Sequence, residues 1–133
     1  MYLRFVSPLR SRERHFNYGI FQAAYDCRNN ERNPDFLRDA IREELWWFCE
    51  HLDAPDEWEF EVRAHRQRLA IGLCWFRAEA REMISHAYAL RALVAECGMF
   101  ITTLQTRQPG VILYEDRHQI VARPLRSTPT AWG

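Results

Sequence analysis

The chain has 133 residues, 18 basic and 18 acidic side chains, and 47% hydrophobic residues. That is enough apolar material for one domain with its own core, and a domain of this length buries roughly two-thirds of the surface its unfolded chain exposes. Zero net charge argues against a general polyanion binder. The longest apolar run, Leu69–Phe76, is far short of the ~20 residues that span a bilayer. No long apolar stretch precedes the first charges of Met1–Pro8, so no signal peptide is expected, and the expected setting is soluble and cytoplasmic.

In chain order, Tyr2–Val6 reads as a short strand. A first helix is predicted over Arg12–Arg28, with Phe16, Ile20, Ala23, Ala24 and Cys27 as its core stripe. Asn33-Pro34 then predicts a second helix, with Asn as cap and Pro in the first turn, running to Leu52. Its stripe is Leu37, Ile41, Leu45, Phe48 and Leu52. Alternation in Trp58–Arg63 predicts a half-exposed strand. Leu69–Phe76, apolar on both faces, belongs inside a sheet.

A third helix is predicted over Ala78–Cys97, with Met83, Ala87, Leu90, Val94 and Cys97 turned to one side and Gly98 as a left-handed cap. Phe100–Thr106 is the next strand. With Leu69–Phe76 it predicts a parallel pair joined by a right-handed crossover. Pro109-Gly110 suits a type II turn, and Val111–Tyr114 with His118–Ala122 predicts a hairpin across Glu115-Asp116-Arg117. The expected fold is α+β: a single domain over residues 1–123, a mixed sheet of four to six strands with three helices, and a frayed tail over 124–133.

Several motifs carry a resemblance. Cys74-Trp75-Phe76, Arg107-Gln108-Pro109-Gly110, Tyr114-Glu115-Asp116, Gln119-Ile120-Val121-Ala122 and the opening Met1-Tyr2-Leu3-Arg4-Phe5-Val6 are similar to a group of small bacterial proteins with no assigned function. The resemblance covers about half the chain and rests on structural motifs. It implies a compact bacterial α+β domain and transfers no functional residues.

The most unusual surface chemistry is aromatic. At 100° per residue, Trp46 falls on the polar side of the second helix, among Asp39, Arg42, Glu43 and Glu50. Trp47 falls on another side, near Phe36 and Ala40. Tyr18, Phe21 and Tyr25 lie off the main stripe of the first helix. Exposed Trp and Tyr with Arg nearby is the composition of interface hot spots. The leading expectation is therefore a non-catalytic interaction module, a homodimer or a small partner-binding or inhibitor protein, with Trp46, Trp47, Phe36, Tyr18, Phe21 and Tyr25 as its contact residues. Self-burial of those aromatics between two helices and the sheet is the competing expectation.

Two alternatives remain open. An enzyme or small-molecule binder would use a pocket between helices and sheet, with Glu79, Glu82, His86 and Tyr114 as its polar groups. Carboxylates and an imidazole at helical spacing also suit a divalent metal, but no further ligand is indicated, so no metal and no cofactor is expected. The ordinary reading of Glu82 and His86 is a surface pair. A nucleic-acid-binding regulator would use Arg63, Arg66 and Arg68 with Arg10, Arg12 and Arg14 on phosphates. The acidic stretch Glu43–Glu61, with eight acids and no Arg, opposes that reading.

All eighteen basic residues are arginine. A GC-rich coding sequence accounts for that most simply, although arginine also favours stacked and bidentate contacts. The four cysteines, Cys27, Cys49, Cys74 and Cys97, form no Cys-x-x-Cys pair and read as reduced, buried thiols. Adjacent helix residues point about 100° apart, so Cys49 and His51, two positions apart, cannot meet across that helix. Gly-rich phosphate loops, Gly-x-Ser-x-Gly and His-Glu-x-x-His are absent from the sequence.

Overall fold

A computed structural model describes residues 1–10, 17–53 and 72–129. The strand expected at Trp58–Arg63 lies outside them. The elements are β1 (Tyr2–Arg10), β2 (Asn17–Gly19), α1 (Ile20–Asn29), α2 (Asp35–His51), β3 (Leu73–Arg77), α3 (Arg81–Glu96), β4 (Thr102–Thr106), β5 (Val111–Glu115) and β6 (Gln119–Arg123). Among the described residues this is the expected α+β domain, with three helices and a six-stranded sheet. Among the described residues, no helix is long and apolar enough to cross a membrane.

Among the described residues, every hydrogen-bonded strand pair is antiparallel. β1 organises the sheet. Its Tyr2–Val6 stretch pairs along one edge with β4, from Tyr2↔Thr106 to Val6↔Thr102. Along the other edge it pairs first with β3, at Tyr2↔Arg77 and Leu3↔Phe76, and then with β2, at Val6↔Gly19. β3 continues to β6, and β6 to β5. The parallel neighbours expected on either side of α3 are therefore separated by one strand. β3 and β4 run the same way, but β1 lies between them and hydrogen-bonds to both. Local pattern revealed the strand–helix–strand unit; it carried no information about insertion of a strand from the far end of the chain.

α1 begins at Ile20, later than expected. Asn17-Tyr18-Gly19 pairs with β1 instead, and Gly19 is the N-terminal cap residue. Asn and Gly are poor helix formers, and a Gly inside a helix costs about 1 kcal/mol relative to Ala, so strand pairing wins there. Asn33 does not cap α2. Pro34 occupies that position, and the Asn33 side chain donates Nδ2–H to the Cys27 carbonyl at 2.9 Å, closing the end of α1.

The expected core stripes are buried except at their ends: Leu52 and Cys97 are only partly covered, and Phe16 lies outside the described residues. Ile20, Ala23, Ala24 and Cys27 of α1 meet Leu37, Ile41, Leu45 and Phe48 of α2 and Met83, Ala87, Leu90 and Val94 of α3. Leu3, Phe5 and Phe76 supply the sheet side of this cluster. Alternation sends Val6, Leu73, Trp75, Leu104, Ile120 and Ala122 into a second cluster. That explains why β3 is apolar in both directions. The indole Nε1–H of Trp75 is buried without a hydrogen-bond partner.

Two glycines hold conformations that side chains resist. Gly98 ends α3 with φ +89°. Gly110 has φ +117°, and a Cβ there would lie 2.0 Å from the Arg123 carbonyl oxygen. The Pro109-Gly110 turn is thus a close backbone contact as well as a reversal. Beyond β6, Thr128 is buried and its Oγ1 bonds the Gln108 carbonyl and the Leu125 N–H.

Candidate aromatic docking face on α2

The adjacent tryptophans of α2 have opposite environments. Trp47 is half-buried and packs against the main core. Its ring stacks on His86 of α3 at 3.5 Å between centroids and on His51 at 4.3 Å, and meets Phe48 edge-on at 5.1 Å. His51 Nδ1 bonds the Trp47 carbonyl at 2.8 Å. His86 Nδ1 bonds Glu44 Oε2 at 2.7 Å, tying α3 to α2. The Glu82–His86 surface pair expected from helical spacing gives way to this bond. Both residues are on α3, but His86 faces α2 while Glu82 is exposed.

Trp46 is 66% exposed. It and Trp47 line an open recess of about 400 Å³, completed by Arg42, Glu43 and Glu50. The spacing explains this set. Glu43 stands three and four positions before the two tryptophans, and Glu50 four and three after them, so each carboxylate borders both rings. Arg42 is held by Asp39 at 2.7 Å. Among the described residues, neither Glu43 nor Glu50 has an ion-pair partner.

The other aromatics disperse. Phe36 is 73% exposed on the first turn of α2, about 15 Å along the axis from Trp46. Phe21 turns inward, edge-on to Phe48 at 4.9 Å and to Phe76. Tyr25 carries the Arg28 guanidinium over its ring at 4.8 Å. Tyr18 is exposed on β2.

The proposed pocket set is divided. Glu79 and Glu82 border a shallow recess with Arg81, Arg117 and His118, whereas His86 belongs to the Trp47 stack. Tyr114 donates its hydroxyl to Asp116 at 2.9 Å. No group of three or more metal-ligating side chains occurs among the described residues. Arg12, Arg14, Arg63, Arg66 and Arg68 lie outside the described residues, as does the side chain of Arg10.

Asp116 anchors the turn between β5 and β6. Burial alone would raise its carboxyl, but donors outweigh it and hold the carboxyl below the usual carboxylate range. Those donors are the His118 N–H, the Gln119 side chain, the Tyr114 hydroxyl and the Gln119 N–H. Gln119 Nε2 also reaches the Asp53 carbonyl at 2.7 Å, just beyond α2.

Arg4 is buried where β1 parts from β3, and its guanidinium donates to the Cys74 carbonyl at 3.3 Å. Burial lowers its pKa. Together with Gln119 it borders a cavity of only about 60 Å³. All four cysteines are free, but only Cys27 is buried; Cys97 is intermediate, and Cys49 and Cys74 are exposed, against the expectation of four buried thiols. Burial first, then the neighbouring Cys97, pushes the Cys27 thiol up to about 12.

No family model, no curated protein and no solved structure matches the chain.

Proposed function

We propose that this chain is a non-catalytic protein-interaction module that docks through the outer side of α2, with Trp46 as its anchor. The carrying observation is an indole 66% exposed at the edge of a recess flanked by two carboxylates without ion-pair partners. A tryptophan left mostly in solvent is the kind of side chain that supplies much of an interface's binding energy once a partner removes it from water. Phe36, Tyr18 and Tyr25 are exposed but lie apart from the Trp46 recess, whereas Phe21 and Trp47 serve the core. The small-molecule reading gains no support from the dispersal of Glu79, Glu82, His86 and Tyr114.

The test is association of native protein and Trp46→Ala in host lysate, compared by native mass spectrometry and quantitative co-purification. Trp46→Ala is expected to weaken the association about tenfold or more, with the circular dichroism spectrum unchanged. Undiminished association would remove the docking role from this face.

A further inference from the structure

We infer that the side chain received by the Trp46–Trp47 recess is an arginine presented by a partner protein. The inference rests on the docking reading above and supplies the partner's chemistry. It follows from which carboxylates of α2 are already paired. Asp35 has Arg38 at 3.6 Å, Asp39 has Arg42 at 2.7 Å and Glu44 has His86 at 2.7 Å. Glu43 and Glu50 remain, and both border the recess beside the two indoles.

Arg42, the one basic residue of the recess, is turned to Asp39 and leaves that negative charge uncompensated. The face of Trp46 beside two open carboxylates favours a cation, whereas the faces of Trp47 are already taken by His86 and His51 and it contributes only its edge as a wall. A planar guanidinium uses both parts at once, stacking on a ring while its fork of N–H groups reaches the carboxylates. An ammonium ion gains only the point charge.

The same arrangement argues against a symmetric pair of this chain joined through α2. Such a pair would set Glu43 and Glu50 of one copy against Glu43 and Glu50 of the other, while Arg38 and Arg42 are already engaged by Asp35 and Asp39. Like charges placed together at an interface act against that partner.

The experiment uses the full chain labelled with ¹⁵N and follows the indole N–H signals of Trp46 and Trp47. The probes are acetylated, amidated Gly-Arg-Gly and its lysine and citrulline counterparts; citrulline keeps the planar shape without the charge. Saturable shifts of both indole signals are expected, with the arginine peptide binding about tenfold more tightly than the citrulline peptide. Glu43→Gln with Glu50→Gln should erase that preference without unfolding the protein, since both side chains are exposed.

Equal binding of arginine and citrulline peptides, or a preference that survives the double substitution, would overturn the inference. So would concentration-dependent self-association of the native protein that Trp46→Ala abolishes, because the occupant would then be a second copy. If Trp46→Ala loses partner association while arginine shows no preference, docking stands and only the partner's chemistry falls. If association survives Trp46→Ala, the docking role itself has failed.

Discussion

The two sides of α2 are built from the same short sequence and do opposite work. The inner side places Leu37, Ile41, Leu45 and Phe48 in the core, with Trp47 stacked on His86 and Glu44 bonded to it. The outer side places Trp46 in solvent between Glu43 and Glu50. One step along the helix, about 100°, separates a tryptophan that stabilises the fold from one that does not. Aromatic residue type alone therefore says little about an interface; what matters is whether the ring already has neighbours.

The largest expected effect tests that separation directly. Trp47→Ala should destabilise the protein by about 3 kcal/mol, because it empties packed volume and removes both histidine stacks. Trp46→Ala should change stability by less than about 0.5 kcal/mol. Urea unfolding of the two variants checks both values, and equal losses would mean that the two sides are not distinct. Next, His86→Ala should cost about 1–2 kcal/mol, since it breaks the bond to Glu44 and uncovers Trp47. The same measurement on Glu82→Ala should show almost no loss.

A third prediction concerns Asp116, the carboxylate that anchors the turn between β5 and β6. Asp116 has a folded pKa below its unfolded value. Its stabilisation is thus present above the ordinary carboxylate range and is lost as pH falls through that range toward the folded value. Urea midpoints should drop across this acid window in the native protein and less steeply in Asp116→Asn. Parallel curves would detach Asp116 from the stability of this region. The smallest effect is kinetic: Cys49, exposed on α2, should react with iodoacetamide many times faster than Cys27, which is buried and whose thiol is pushed up to about 12. Peptide mapping after timed alkylation distinguishes them.

Much of this was legible in the chain. Helical periodicity located the three core stripes, Gly98 marked the end of α3, and Pro109-Gly110 marked the turn into β5. The wheel position of Trp46 among Arg42, Glu43 and Glu50 already outlined the recess, since helical neighbours are set by spacing. Trp47 was harder, because its burial depends on His86 in another helix. Nothing in local spacing reveals that Glu44 and His86 meet across 42 positions of chain. The insertion of β1 between β3 and β4 was hidden for the same reason: strand order is decided by contacts that a window of sequence never contains.

The position of β1 has a consequence for how the molecule assembles. Tyr2 waits for both Arg77 and Thr106 before its two edges are satisfied. α1 and α2, joined by a short connection, can collapse on each other much sooner, since closing a short loop takes less chain entropy than closing a long one. During synthesis the first strand must remain unpaired along its β3 and β4 edges until most of the chain has followed. The long-range pairing of β1 with β3 and β4 therefore arrives late, after the helical pair that carries Trp46 is able to take shape.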